Sequence, residues 1–541
     1  RCTVVSVSPG SIGAGGETVI FKGRQAANWP GRAGLFRASQ PAALRDAGGM
    51  WWDERNCARA PAVTRRGALR LGAAWVTGAW LPGISRAASA EAHFRSCGLP
   101  LSCVGVVAQA VDAAVPLVSL NPEKPFQLAS TAKLVTSMAA LELLGPHFRW
   151  RTMAFARGPL LQGKLLGDLW IVGGGNATLT SHDLAGWMAS WRAQGLTHIL
   201  GDIVLDRFAY QLTERDHDRT PLPAPDRPHH ARPDAFTVDE GRLRVTLSPS
   251  QSGRPAVQLD PPLAGVRVDQ GRAANSGCSA SARWSEAANA EPRISVQGTL
   301  AAGCAPREWV LAPMPHTEFS TRAVAGLWRE AGGTLRGRVI DKPSPDREAL
   351  LPLGPDGEPQ MPFATHLSAP LPQLLREINK SSDNLAARNL MLALSKGFPY
   401  RAATLPAAQA RMREWLARQG LGPDDVQIEN GSGLSRGERA KPRAFVQLLA
   451  KAWSARQAGS LVDSLPVAGV DGTLEHRMRQ GAAAGQAHLK TGTLLDTRAL
   501  AGYVHSRRGR VYAVAALVNH PDAGRATPAM DKFIEWLARE G

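Results

Sequence analysis

A mostly apolar stretch, QLASTAKLVTS at residues 127–137, contains a lysine where helical periodicity expects a core residue. The pattern predicts a helix from about Ser130 to Leu144. Lys133 follows Ser130 by three residues, so both side chains lie on one face of this helix and can meet across one turn. Any fold of this chain must therefore either bury the Lys133 ammonium or let it reach solvent.

This serine–lysine pair is a candidate for nucleophilic chemistry. A serine hydroxyl is a poor nucleophile until a base takes its proton, and a lysine is such a base only where burial or nearby positive charge keeps it neutral. The N–H groups at a helix N-terminus also point towards negative charge that develops on an attacked carbonyl. A serine three residues before a lysine is, on its own, more often a helix-capping serine and a lysine whose ammonium reaches solvent than a catalytic pair.

Two further tripeptides favour the catalytic interpretation of the serine–lysine pair. SDN at residues 382–384 lies at the edge of a helical pattern, and KTG at residues 490–492 lies in a strand pattern, where glycine indicates that another group approaches closely. Taken singly, SDN is typical of a helix N-cap, and the lysine of KTG of an exposed sheet edge. The order SxxK, SxN and KTG, on helix, helix and strand, is hard to obtain by accident. Together the three motifs predict one acyl-transfer site.

In these motifs the chain resembles the penicillin-recognising serine acyl-transferases. It is most similar to the class C low-molecular-mass penicillin-binding proteins, the D-alanyl-D-alanine carboxypeptidase/endopeptidases of peptidase family S13 (penicillin-binding protein 4 type). The long separation of the first two motifs is also similar, because this class carries inserted domains between them. The resemblance covers the chain from about residue 95 to its end and includes, in order, the stretches SLNPEKPFQLASTAKLVTSMAALELLGP, GDLWIVGGGNATLTSHDL, ENGSGLSRGERAKP and SLPVAGVDGTLEHR.

The resemblance implies an α/β (α+β) fold in which a central antiparallel sheet is flanked by helices. The patterns agree with it: residues 195–365 contain short alternating runs separated by Gly, Pro and Ser, whereas the chain ends as three strands and a helix. We therefore expect residues 91–190 and 366–541 to form the serine peptidase domain and residues 191–365 to form a β-rich insertion.

The resemblance also assigns roles to the first two motifs. Ser130 would be the acylated nucleophile and Lys133 its general base. Ser382 would relay a proton to the leaving D-alanine nitrogen, and Asn384 would hold the substrate amide. The family's chemistry implies no metal and no other cofactor.

The third motif is expected to bind the C-terminal end of the substrate. Lys490 and Thr491 would bind the terminal carboxylate, while Gly492 would let the acyl group lie against the strand. The backbone N–H groups of Ser130 and Thr493 would form the oxyanion hole. The charge of Lys490 would also help the lysine of the first motif to lose its proton.

The substrates implied are peptidoglycan stem peptides, whose D-Ala-D-Ala and D-Ala-diaminopimelate bonds would be cleaved through an acyl-enzyme, with β-lactam antibiotics as covalent inhibitors. Asp206, in VLDRF at the head of the insertion, resembles an acidic residue that in relatives faces the amino group of the diamino acid. One alternative is a serine β-lactamase, although class C β-lactamases carry a tyrosine where this chain has Ser382. Another is a non-catalytic protein that binds peptidoglycan. The oligomeric state stays open between a monomer and a homodimer.

The segment TRRGALRLGAAWVTGAWLPGISRAASA, residues 64–90, has the anatomy of an export signal: paired arginines, a short apolar stretch and a final Ala-Ser-Ala. It predicts cleavage after Ala90 and a periplasmic protein, exported by the twin-arginine or the general secretory route. The alternative is a buried helix of a cytosolic domain. We assign residues 50–90 to the signal region and residues 1–49 to a non-native upstream extension. No other apolar run approaches 18 residues, so we expect no transmembrane anchor.

The net charge of +17 does not predict nucleic-acid binding. Twelve basic and four acidic residues fall within residues 1–90, and the remaining excess is spread out without a dense basic run and interleaved aromatics. A basic surface attracted to anionic envelope polymers explains the charge as well, and we expect no nucleic-acid partner.

Four cysteines follow the expected cleavage site, and an oxidising compartment would favour their pairing. Cys97 and Cys103 are close enough in sequence for a small local bridge, while Cys278 and Cys304 could close a longer loop. Their spacing fits no zinc site.

Overall fold

The computed structural model describes residues 91–541 apart from residue 215 and residues 217–231, 252–253, 271–276, 286–290 and 343–359. The expected upstream extension and signal region, residues 1–90, lie outside this part of the chain. Within it, no helix is long and apolar enough to cross a membrane.

A five-stranded antiparallel sheet forms the centre of the domain that carries the three motifs. Its middle strand is buried on both faces, which explains why that strand consists almost entirely of Val, Ala and Leu. The three strands and the helix predicted at the chain end are confirmed. Across the sheet the strands are, in order, Val118–Leu120, Val104–Ala110, Val511–Asn519, Thr497–His505 and Ala487–Leu494.

Helices cover both faces of this sheet. Because side chains alternate along a strand, Leu517 packs in the core that holds the first long helix, and Val518 packs in the core that holds the C-terminal helix. The helices are, in chain order, α1 (Ala132–Leu143), α2 (Ser181–Ala193), α3 (His316–Glu330), α4 (Leu371–Ser381), α5 (Asn384–Ala393), α6 (Leu405–Arg418), α7 (Pro442–Trp453), α8 (Ala458–Ser464) and α9 (Thr527–Glu540).

A second five-stranded sheet lies in the insertion and corrects the predicted domain boundary. Strand Asp168–Val172, placed by prediction in the peptidase domain, pairs in parallel with Ile203–Asp206 of the insertion. The predicted boundary at residue 190 is therefore wrong, and strand pairing places it near residue 150. Alternation of side chains identifies a strand but not the sheet it joins, so the sequence could not decide this point. The strands are, in order, Val339–Asp341, Ile203–Asp206, Asp168–Val172, Arg151–Arg157 and Ala364–Leu367.

Smaller sheets complete the insertion and confirm its β-rich character. The hydrophobic core of the insertion is separate from the hydrophobic cores around the central sheet. Their strands are Ala256–Asp260, Leu243–Ser248 and Arg307–Leu311; Arg267–Gln270, Arg293–Gln297 and Ser281–Ser285; and Thr334–Leu335, His198–Ile199, Lys164–Leu165 and Leu160–Leu161. A further small sheet, in the peptidase domain, joins Val426–Gln427, Arg439–Ala440 and Phe126–Gln127.

One of the two candidate disulfides forms. Cys278 and Cys304 are bonded to each other within the insertion. Cys97 and Cys103 are not bonded to each other, because the Cys97 thiol is free and buried and donates to the Phe94 carbonyl. The short separation in sequence did not predict the disulfide correctly, because the Cys97 side chain points back along its own turn.

Candidate active site

Ser130 lies where the chain enters helix α1. A 3-10 turn, Ala129–Thr131, precedes the helix, and Ala129 has a φ of 46°. This left-handed conformation is uncommon for a residue other than glycine, and such strain is often found at functional sites. The predicted helix is confirmed to within two residues at its start, and Ser130 lies at its N-terminal end, partly buried.

Lys133 is fully buried, which excludes the alternative that its ammonium reaches solvent. Its Nζ lies 3.1 Å from Ser130 Oγ, 2.7 Å from Asn384 Oδ1 and 2.6 Å from the Ser432 carbonyl oxygen. Burial lowers the pKa of Lys133 to about 7, against the negative charges of Asp383 and Glu438, which raise it. A pKa near 7 lets this lysine lose its proton in the neutral pH range.

The second motif lies at a break between two helices. Helix α4 ends at Ser381, and its C-cap, Ser382, has a left-handed φ of 63°. Asp383 is the N-cap of α5 and accepts from the Ala386 N–H. This break brings Asn384, the first residue of α5, to Lys133. The helix-cap interpretation of SDN is thus confirmed for Asp383, while the catalytic roles of Ser382 and Asn384 stay predictions.

Lys490, in strand Ala487–Leu494, is also fully buried rather than exposed on a sheet edge. Its Nζ donates to Ser382 Oγ at 2.9 Å and to the Thr491 carbonyl at 3.1 Å. Burial, and after it the charge of Lys133, lowers the pKa of Lys490 well below its ordinary value. Burial is also the largest cause of the lowered pKa of Lys133.

Gly492 lies against the turn that contains Ser130, and its expected contact with an acyl group stays a prediction. A Cβ at this position would lie 2.8 Å from the Leu128 carbonyl oxygen and 3.1 Å from Ala129 Cβ. The close approach that the glycine indicated is therefore made by the turn before Ser130. The next residue on this strand, Thr493, is exposed. Thr491 Oγ1 donates to Thr473 Oγ1 at 2.8 Å.

Asp206 is not brought into the site. Its side chain is fully buried at the end of strand Ile203–Asp206, where the carboxylate accepts from the Phe208 N–H at 2.9 Å. Its expected place facing a substrate is therefore wrong, because the residue serves a turn inside the insertion.

Two residues of the insertion that sequence reasoning missed lie beside the second motif. Glu240 and Arg242 form an ion pair at 2.6 Å and line a cavity of about 200 Å³ together with Ser382 and Asn384. Glu240 has a φ of 55°, and burial, followed by the charge of Asp383, raises its pKa to about 7. No motif marks these residues, since only the packing of the insertion on α4 and α5 brings them there.

Within the described part of the chain, no group of three or more His, Cys, Asp or Glu side chains is arranged to hold a metal ion. The chemistry available at this site is that of two serine–lysine pairs, one on helix α1 and one between α4 and the central sheet.

Residues 87–540 match the family model described as D-Ala-D-Ala carboxypeptidase 3 (S13). The D-alanyl-D-alanine carboxypeptidase of Actinomadura sp. (strain R39) is 31% identical over 424 residues, which cover 75% of this chain and 75% of that protein. The D-alanyl-D-alanine carboxypeptidase DacB of Haemophilus influenzae is 26% identical over 432 residues, 78% of this chain and 86% of that protein.

The fold is similar to the crystal structure of penicillin binding protein 4 (dacB) from Haemophilus influenzae, with a TM-score of 0.62 and 22% sequence identity. The superposition covers 80% of this chain and 96% of that one. A second structure of the same protein, complexed with a novel β-lactam, has a TM-score of 0.59 and 24% identity over 80% of this chain and 95% of that one.

Proposed function

We propose that Ser130 forms the acyl-enzyme and that Lys133 is its general base. The premise is that the chain belongs to the D-Ala-D-Ala carboxypeptidase 3 (S13) family and is a serine D-Ala-D-Ala carboxypeptidase. The single observation that carries this assignment is the surroundings of Lys133. A neutral lysine has two N–H groups and one lone pair. Asn384 and Ser432 accept the two N–H groups, so the lone pair is left for the Ser130 hydroxyl.

Acylation then proceeds without a change in the number of protons. Ser130 Oγ attacks the carbonyl carbon of the penultimate D-alanine while its proton passes to Lys133 Nζ. The N–H groups of Ser130 and Thr493 bind the oxygen on which negative charge develops. The C–N bond then breaks, Ser382 relays the proton to the leaving D-alanine nitrogen, and an ester remains on Ser130. Water attacks this ester with Lys133 again taking the proton, which restores the hydroxyl.

Lys490 and Thr491 are proposed to bind the terminal carboxylate of the substrate. Burial disfavours the ammonium form of Lys490, but a bound carboxylate supplies the opposite charge that favours it. Substrate binding and the charging of Lys490 therefore support each other, and a peptide whose carboxylate is amidated should bind poorly.

We also propose that the enzyme acts on peptidoglycan stem peptides in the periplasm and cleaves D-Ala-diaminopimelate cross-links as an endopeptidase. A cavity of about 590 Å³ between the insertion and helix α4, which reaches Ser381 and Asp383 of the second motif region, supports this proposal. It leaves room beside the site for more of a peptide than its last two residues.

A labelled penicillin tests the acyl-enzyme. We expect one covalent adduct on the peptide that contains Ser130, and none in Ser130→Ala, with both proteins equally folded by circular dichroism. Ser119, exposed on the edge strand Val118–Leu120, offers a matched control, and Ser119→Ala should be labelled like the wild type. An adduct that persists in Ser130→Ala would overturn the proposal, and rapid release of the adduct would point to a β-lactamase instead.

A further inference from the structure

The loop of residues 429–438, ENGSGLSRGE, wraps around the side chain of its own last residue. Glu438 is fully buried, and its carboxylate lies inside a ring of backbone N–H groups, an arrangement that binds anions. The donors are the N–H groups of Glu429 at 3.1 Å, Asn430 at 2.9 Å and Gly431 at 2.6 Å to one carboxylate oxygen, and of Gly433 at 2.6 Å to the other.

The outer side of this loop forms part of the active site. The Ser432 carbonyl accepts from Lys133 Nζ at 2.6 Å. Gly433, with a φ of 89°, packs so closely on the nucleophile turn that a Cβ would lie 1.9 Å from the Ala129 carbonyl oxygen and 2.6 Å from Ser130 N. The loop therefore contacts the base and the backbone of the nucleophile at the same time.

We propose that Glu438 is a positioning residue for acylation, because its carboxylate shapes the loop that presents the Ser432 carbonyl to Lys133 and supports the Ser130 backbone. This inference rests on the proposed roles of Ser130 and Lys133. Glu438 touches neither substrate nor reacting atoms and acts only through the loop and through its charge.

The charge of Glu438 has a consequence for Lys133. The charged groups that act on Lys133 or lie beside it are Asp383 at the start of α5, Glu438 in the loop and Lys490 on the strand. The negative charge of Glu438 raises the pKa of Lys133, while burial raises the pKa of Glu438 itself to about 7 against the N–H groups that lower it. Because the two groups titrate in the same pH range, each favours the charged form of the other, and replacing the carboxylate should lower the pKa of Lys133 and move the acid limb of acylation to lower pH.

Glu438→Gln separates this role from plain structural support. Its amide keeps one oxygen acceptor but turns an NH₂ group towards backbone N–H donors. The loop therefore loses hydrogen bonds to the side chain around which it folds. We expect the acylation rate constant with labelled penicillin to fall about tenfold or more at its plateau, and the midpoint of the acid limb to move to lower pH. Glu438→Asp keeps the charge but is too short for all four donors, so it should slow acylation without moving the midpoint.

The matched control is Glu429→Gln, the same chemical change in the same loop. The Glu429 carboxylate is bonded to Ser435 Oγ, away from Lys133. We expect its rate constant to stay within about twofold of wild type and its midpoint to stay in place.

An acylation rate constant in Glu438→Gln equal to that of the wild type would overturn the proposal. A lower rate constant with an unmoved midpoint of the acid limb would also overturn it, because that result indicates structural support alone. If neither Glu438 variant folds, hydrogen exchange of the wild type decides. Slow exchange of the loop amides at residues 429–433 is expected, and exchange as fast as in an unstructured peptide would contradict the inference. Failure of the proposed function is a different result, because the wild type itself would then carry no penicillin on Ser130.

Discussion

The site contains two serine–lysine pairs that differ in what surrounds each lysine. Lys133 and Lys490 are both fully buried, and each lies within hydrogen-bond distance of a serine hydroxyl. Lys133, however, has two further acceptors, and burial lowers its pKa to about 7 although the negative charges of Asp383 and Glu438 raise it. Burial and the charge of Lys133 both lower the pKa of Lys490.

This difference suits two different tasks. A base must be neutral at the working pH yet able to hold a proton briefly, which a pKa near 7 provides. A group that binds a carboxylate needs its charge only when that carboxylate is present. The same residue type, equally buried, can therefore serve as base or as anion site according to the charges around it.

The largest effect is expected from replacing each lysine by arginine, which keeps the positive charge but cannot give up its proton. Lys133→Arg should slow acylation of Ser130 by on the order of a hundredfold or more, as expected for the loss of a general base. Lys490→Arg keeps the charge its task needs, so acylation should fall by only about tenfold, through substrate binding. Stopped-flow acylation with a fluorescent penicillin measures both, and equal losses in the two variants would remove the distinction drawn here.

A smaller effect is expected from Ser382→Ala, which removes the hydroxyl next to Lys490 but leaves the first pair intact. Proton delivery to the leaving nitrogen would then depend on water, and turnover of a D-Ala-D-Ala peptide should fall by about tenfold to a hundredfold. The pH midpoint set by Lys133 should not move. A midpoint that shifts in this variant would mean that the two pairs titrate as one unit.

The smallest effect is expected from Asp383→Asn. Asparagine caps a helix about as well as aspartate, so thermal stability should change little. Loss of the negative charge should lower the pKa of Lys133 and move the acid limb of acylation by about half a pH unit or less to lower pH. An acid limb that moves to higher pH would show that Asp383 acts on the site in some other way.

The sequence predicted which motif residues meet better than it predicted the domain organisation. Ser130, Lys133, Ser382, Asn384 and Lys490 were predictable because short motifs specify residue types and spacing, and four of them hydrogen-bond as two serine–lysine pairs in the structure. The domain boundary at residue 190 was wrong because alternation shows which face of a strand is buried, not its partner strand.

Other features of the site depend on contacts that no motif specifies. Asp206 matched a short family stretch, but the structure uses its carboxylate for a turn. Glu240 and Glu438 carry no motif, since one reaches the site through packing of the insertion and the other through a loop that folds around it. Gly492 was correctly identified as a point of close approach, but the neighbour is backbone of the same chain.

The pH dependence of Ser130 acylation in the wild type tests the central claim, that Lys133 is a base whose pKa is lowered to about 7. Its lowered pKa means that activity is present above about pH 7 and is lost as the pH falls through that value and Lys133 takes up a proton. A single-turnover experiment with labelled penicillin, whose carboxylate stays ionised throughout, should therefore give an acid limb with its midpoint near pH 7. A rate that stays constant down to pH 5, or one that rises only near the ordinary lysine pKa above pH 10, would contradict this account.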